Sequence, residues 1–237
     1  MALPLVNESP QYEAVIPSTG KTISFRPFLV KEQKVLMMAY ESQDKKQILH
    51  AILNTLESCS PQLDVKSLSS FDVDYLFTQI RTKAVGETTL ISLECKKCSH
   101  KNEVAVNLSE VKLELPERSN IVQLNDRISL KMKWPSYHDI VTNETIISDT
   151  ATATDIVYET VKMSIDSVLT EEEQLRFKDE SPEEVDRFVN SLTTDQFNKI
   201  NEYLIDAPTM KHTLKCICES CGEDNSKTLE GLNDFFS

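Results

Sequence analysis

"ISLECKKCSHKNEVAVNL", residues 91–108, runs from a β-prone segment into Cys-x-x-Cys, through a polar turn, and into a second short strand-like run. "HTLKCICESCGEDNSKTL", residues 212–229, repeats the same order. Strand-prone residues either side of a polar turn make a β-hairpin, so each stretch sets two thiols on a hairpin tip. One such tip is half of a tetrahedral four-thiolate site, and two tips complete it. Residues 99–217 separate the two pairs, far more than the short loop of an ordinary zinc ribbon. The spacing therefore predicts a discontinuous ribbon with a subdomain inserted between its hairpins, held by Cys95, Cys98, Cys218 and Cys221 around a structural Zn2+. One position of the ligand set stays open, since Cys216 or His100 could replace a cysteine. Cys216 and Cys218 alternate along a strand, however, so only one of them should face the tip. The plain alternative is two unrelated thiol pairs.

Other uses of the cysteines fit less well. A redox Cys-x-x-Cys opens a helix, whose dipole lowers a thiol pKa, whereas "SHKNEVAV" and "GEDNSKTL" follow these pairs and neither reads as helical. Four thiolates also leave no open coordination position, which argues against catalytic zinc. Cys59 stands alone at the end of an apolar helical run and reads as a buried apolar residue.

Composition sets the outer limits. The 237 residues are 40% hydrophobic and 27% charged, an ordinary globular balance with material for one large core or two small ones. No run of about 18 apolar residues suggests a transmembrane helix. "MALPLVNESP" lacks the basic and apolar regions of a secretory signal, so the expectation is a chain made and folded in a cytoplasm, where Cys-x-x-Cys pairs suggest metal before disulfides. With 38 acidic against 25 basic residues the net charge is −13, which repels a phosphate backbone and disfavours nucleic-acid binding. "LECKKCSHK" is a local basic tip, which reads as solvated.

Along the chain, "YEAVIPSTGKTISFRPF" (12–28) alternates around "PSTGK" and predicts a hairpin. "LVKEQKVLMMAY" then turns helical, with Val30, Lys34, Met37 and Met38 near one stripe, and "DKKQILHAILNTLESC" places Ile48, Ile52 and Leu56 on another. His50 falls among these apolar residues with no partner at ligand spacing and reads as a core or boundary histidine. A third helix spans "SLSSFDVDYLFTQIRTKAVGE", capped at Ser69 or Ser70, with Phe71, Tyr75, Leu76 and Ile80 inward and Gly86 as the stop. Residues 120–134 predict another hairpin, with Ile128, Leu130 and Met132 alternating. From about 136 the pattern is mostly helical, including "ATDIVYETVKMSIDSVL". Ser181 with Pro182 and Glu184, and Thr193 with Gln196, read as two capping boxes opening an αα-hairpin. The expected class is α+β: an N-terminal hairpin plus helices over 1–87, a discontinuous ribbon module from 88–110 and 209–232, and an inserted hairpin and helical subdomain over 111–208.

No catalytic constellation emerges. "PSTGK" (17–21) lacks the earlier glycine of a phosphate loop and precedes a strand. There is no nucleophile elbow, no His-Glu-x-x-His and no dinucleotide fingerprint, and "TEEEQLRFKDESPEEVD" reads as solvated charge. The chain is therefore read as not an enzyme.

"PSTGKTISFRPFLVKEQKVLMMAYES" (17–42) resembles the opening of the baseplate hub and hub-assembly proteins of T-even-type contractile-tailed bacteriophages, and "FDVDYLFTQIRTKAVGE" (71–87) followed by "CKKC" resembles their next block. The likeness is specific over roughly the first 110 residues; beyond them "MKWPSY" (132–137) and the layout of the last Cys-x-x-Cys match. The resemblance implies a structural or assembly-promoting protein of a tail baseplate hub. Its partners would be other hub or tail proteins, with neither nucleic acid nor membrane among them. It would be located in the host cytoplasm during assembly and in the virion tail. In that setting Arg26, Phe28, Phe235 and Phe236 gain a second meaning, since aromatic and arginine anchors are typical of interface hot spots, while Phe25 and Phe28 also suit a core. The alternatives are a cytosolic zinc-ribbon adaptor of transcription or replication machinery, which the net charge disfavours, and a carboxylate-using hydrolase.

Overall fold

A computed structural model of the chain describes residues 10–113, 115–117, 119–231 and 234. The first part of the chain gives β1 (Tyr12–Val15), β2 (Thr22–Phe25), α1 (Val30–Ser42), α2 (Lys45–Cys59), α3 (Ser70–Val85), β3 (Thr88–Glu94), β4 (Lys101–Asn107) and β5 (Lys112–Leu113). The middle gives β6 (Ile121–Gln123), β7 (Ser129–Met132), α4 (Tyr137–Thr142), α5 (Glu144–Ile147), α6 (Ala153–Ser164), β8 (Ile165–Leu169) and β9 (Gln174–Arg176). Then follow α7 (Pro182–Asn190), α8 (Thr194–Ile205), β10 (Met210–Ile217) and β11 (Asp224–Glu230). The class is α+β, with small antiparallel sheets. The chain divides into two compact units, one from residues 1–65, 71–114 and 209–237, the other from 66–70 and 115–208.

In the first unit the β1–β2 hairpin turns at Gly20, whose φ of +70° suits a residue without Cβ. The Ser18 N–H donates to Asp72 of α3 at 2.8 Å, and the Arg26 N–H donates to the Cys59 carbonyl at 3.0 Å, so the hairpin is tied to both longer helices. Gly86, at φ +118°, ends α3. The β3–β4 hairpin and the three-stranded sheet β11–β10–β5 share one apolar cluster: Ile91, Val106, Leu108, Met210, Leu214 and Leu229. That cluster packs together the two hairpins that carry the cysteine pairs.

The second unit folds around the sheet β6–β7–β8–β9, with α6, α7 and α8 contributing Val161, Val189, Ile200 and Tyr203 to its core. Trp134 stacks on Tyr203 with ring centres 4.6 Å apart. Thr193 and Gln196 form the expected capping box.

Two local expectations need correction, and the structure decides one face that the spacing left open. On α1 the buried face is Glu32, Leu36 and Ala39, while Val30, Met37 and Met38 point outward and are 79%, 56% and 59% exposed; an apolar stripe identifies a helix face but not which face the tertiary core takes. Residues 165–176 form β8 and β9 where the pattern suggested helix. A short apolar run with Ile165 and Val168 fits either period, and pairing with β7 on one side and β9 on the other selects the strand. Ser181 caps α7 by accepting from the Glu184 N–H, but the Glu184 carboxylate pairs with Arg187 at 3.1 Å in place of the reciprocal cap bond.

Candidate metal centre

The two hairpins that open the sequence place their thiols by the same local device. In the first, the Cys95 N–H donates to the His100 carbonyl (2.8 Å) and the Ser99 N–H to the Cys95 carbonyl (2.9 Å). In the second, Cys218 bonds Glu223 (2.9 Å) and Gly222 bonds Cys218 (2.9 Å) in the same pattern. Ser99 and Gly222 occupy equivalent left-handed positions, at φ 55° and 72°. Each turn thus folds two cysteines, three positions apart, toward one side of the tip.

The sulfurs of Cys95, Cys98, Cys218 and Cys221 all lie within 4.8 Å of one another. Cys95 faces Cys221 at 3.7 Å and Cys98 faces Cys218 at 3.6 Å, each contact joining one tip to the other. A disulfide needs about 2.05 Å, so these are free thiols. A tetrahedron of thiolates with metal–sulfur bonds of about 2.3 Å has edges of about 3.8 Å, and the cross-tip distances match that edge. The four cysteines could hold a metal ion.

Electrostatics favour a cation among them. The N–H groups of Lys97 and Cys98, with the Asn225 amide and Cys221, hold the Cys95 thiol down to about 6. Burial opposes ionisation of Cys218, yet the N–H groups of Cys221 and Ser220 hold its thiol below the ordinary value. The Glu223 N–H pulls Cys221 down, but its hydrogen bond to Cys98, desolvation and its bonds to Cys95 and Cys218 push it up to about 12. Four sulfurs this close cannot all ionise beside one another without a positive charge to share.

Two residues that the spacing argument missed brace the site. Asn225 accepts from the Lys96 N–H at 3.1 Å while its amide donates to the Cys95 sulfur at 3.5 Å and to the Glu223 carbonyl at 2.9 Å. Asn102 accepts from the Glu219 N–H at 3.0 Å and donates to the Leu93 and His100 carbonyls, each at 3.2 Å. Both are buried. The signal was in the sequence: each pair reads Cys-x2-Cys-x3-Asn, at 95–102 and 218–225. Lys97 and Glu223 add an exposed ion pair between the tips, at 3.1 Å.

The other named residues fall elsewhere. Cys216, opposite Asn225 in the β10–β11 ladder, and the exposed His100 lie outside the four-sulfur group. Cys59 is buried, and its thiol is pushed up to about 11 by burial. His50 lies half-buried on α2, with Nδ1 2.7 Å from the Lys46 carbonyl oxygen. Arg26 is engaged within the chain, donating to Glu32 at 2.7 Å and to the Pro27 carbonyl at 3.0 Å. Phe25 is in the core, Phe28 is half-buried along a surface groove, and Phe235 and Phe236 lie outside the described residues.

Compared with known protein families, residues 9–237 match the family described as "T4 bacteriophage base plate protein". No curated protein and no solved structure matches the chain.

Proposed function

Because the chain belongs to the T4 bacteriophage base plate protein family, we propose that it serves the central hub of the baseplate, as a structural or assembly-promoting subunit acting through protein–protein contacts and without catalysis. The family match over nearly the whole chain is the observation that carries the baseplate role. The narrower hub assignment is supported by the likeness of residues 17–42 and 71–87 to hub and hub-assembly proteins. Its partners are other hub or tail proteins. A net charge of −13 speaks against nucleic acid, and among the described residues no helix is long and apolar enough to cross a membrane.

Zn2+ is the ion we assign to Cys95, Cys98, Cys218 and Cys221, since a closed tetrahedron of thiolates is its structural coordination. In this reading residues 88–110 and 209–232 form a discontinuous zinc ribbon between an N-terminal part, 1–87, and an inserted subdomain, 111–208. Bound metal would supply a cross-link between hairpins distant in sequence, and binding free energy, on the order of 10 kcal/mol in simple zinc peptides, would become folding free energy. The residues themselves position the sulfurs through the two turns and the two asparagines.

Quantitative peptide mass spectrometry and residue-level cross-linking on gradient-purified virions and on infected-cell lysate test the reading. Stoichiometric recovery in virions with cross-links to hub proteins makes it a hub subunit. Abundance in lysate, bound to hub precursors and absent from virions, makes it an assembly factor. Cross-links confined to peripheral tail proteins would remove the hub assignment.

A further inference from the structure

Within the four-sulfur group, Cys95 touches Cys221 at 3.7 Å and Cys98 touches Cys218 at 3.6 Å, so both contacts run between the tips. Each joins a buried cysteine, Cys95 or Cys218, to an exposed one, Cys221 or Cys98. An oxidant from solvent therefore meets one sulfur of each contact first, with a second sulfur already against it. An accessible thiol beside a resolving thiol is the arrangement of reversibly oxidised sites. The Lys97 N–H and the Asn225 amide, each 3.5 Å from the Cys95 sulfur, hold that sulfur in place against its partner.

Pairing across the tips has a topological consequence. The contacts span 126 and 120 positions, and the chain between them includes all of residues 115–208, the body of the second unit. A covalent bond at either contact closes the same long loop as a shared metal ion, and cross-links over long loops restrain the unfolded chain most. The other two cysteines do not compete. Cys216 lies outside the sulfur group, and Cys59 is buried beside Arg26, 3.8 Å from Nη1.

We propose that the site is a reversible redox switch, in which the four cysteines exchange a metal ion for two disulfides between the tips, Cys95–Cys221 and Cys98–Cys218. The proposal rests on the zinc assignment and adds its regulation. The oxidant is hydrogen peroxide. In each pair the exposed thiolate attacks the peroxide: the O–O bond breaks, the sulfur becomes a sulfenic acid and hydroxide leaves. The buried thiolate then attacks that sulfur, the S–S bond forms and a second hydroxide leaves, so each pair gives two electrons to one peroxide. The disulfides leave no thiolate to hold the ion, which passes to solvent. A reducing cytoplasm favours the metal form and oxidising surroundings the disulfide form.

Peroxide titration of the reduced, zinc-loaded full chain tests this, with a chromophoric zinc indicator and disulfide mapping by mass spectrometry. Cleavage after Lys96, Lys97 and Glu219 puts the four cysteines on separate peptides, and fragmentation tells Cys216 from Cys218. Metal content before oxidation tests the zinc reading separately; a folded, reduced chain that binds none removes that reading and the exchange with it. With zinc bound, peroxide should release about one ion per chain and yield the Cys95–Cys221 and Cys98–Cys218 peptides. The oxidised chain should melt about 5 °C or more above the reduced, metal-free chain, and a dithiol reductant with Zn2+ should restore the metal form. Bonds within a turn, Cys95–Cys98 or Cys218–Cys221, overturn the proposal, as do bonds to Cys59 or Cys216. So do sulfinic or sulfonic acids in place of disulfides, an oxidised chain that melts no higher than the reduced, metal-free one, or an oxidation that reductant and Zn2+ do not reverse.

Discussion

Asn102 and Asn225 brace each other's turns: the side-chain oxygen of Asn102 accepts from the Glu219 N–H at 3.0 Å, and that of Asn225 accepts from the Lys96 N–H at 3.1 Å. Each stands four residues after the second cysteine of its own pair and reaches across to the other. The pair therefore aligns the two halves of the thiol site from both sides.

Removing one brace should loosen that alignment. Asn225→Ala and Asn102→Ala are each expected to weaken metal affinity by roughly 10–100-fold, the usual scale for groups that orient ligands. Asn225→Asp should weaken it further, since a carboxylate replaces the amide donor beside the Cys95 sulfur. Competition titration against a chromophoric chelator measures this, and unchanged affinity in all three variants would show that the asparagines only stabilise the turns.

Four thiols in one tetrahedral group should bind one metal ion per chain. Elemental analysis of the reduced, folded protein is expected to find about one zinc per chain, and chelation should lower the melting temperature. A folded, reduced sample free of metal would sink the ribbon.

The cysteines should divide sharply by position. Cys221→Ser and Cys218→Ser should lose the metal and impair folding or assembly. Cys216→Ser should keep one ion per chain, because Cys216 lies outside the sulfur cluster. Cys59→Ser should also keep it, with only a local packing cost. Equal, mild effects on metal content and thermal stability across the four variants would point to separate, non-structural thiols.

The Arg26–Glu32 pair predicts an acid-sensitive element at the start of α1. Glu32 is 6% exposed, and although burial opposes its charge, the Arg26 guanidinium and the Leu29 N–H hold its pKa below the ordinary value. The folded-state pKa is thus the lower one, so the stabilisation is present above about pH 4.5, the unperturbed value, and is lost as pH falls through the folded pKa. Arg26→Ala should destabilise by roughly 1–3 kcal/mol, since it removes the shorter, hydrogen-bonded cation and leaves the buried carboxylate only the Leu29 N–H and the exposed Lys31 at 3.4 Å. Urea unfolding of both proteins between pH 3 and 7 checks this; the gap should narrow toward acid, and a pH-independent difference would show that Arg26 acts by packing alone.

Much of the architecture was legible because local chemistry dictates it. Gly20 and Gly86 mark a turn and a helix end, Ser181 and Thr193 mark helix starts, and the two Cys-x-x-Cys turns mark hairpin tips, each through interactions within a few residues. "IDSVL" was misread because its apolar pattern satisfies helix and strand alike, and only the neighbouring β7 and β9 settle the matter. Which way Met37 and Met38 face was not legible for a related reason: periodicity gives the faces of α1, but the residues that cover one of them lie elsewhere in the chain.

The sequence by itself determined the four candidate ligands and their arrangement as two equivalent turns, since a Cys-x-x-Cys geometry is closed by bonds among neighbouring residues. Only the tertiary structure decided that the turns meet, that their sulfurs stand 3.6 and 3.7 Å apart across the gap, and that Asn102 and Asn225 cross over to hold them. Those relations join residues more than a hundred positions apart. They depend on the shared burial of Ile91, Leu214 and Leu229, which no local pattern encodes.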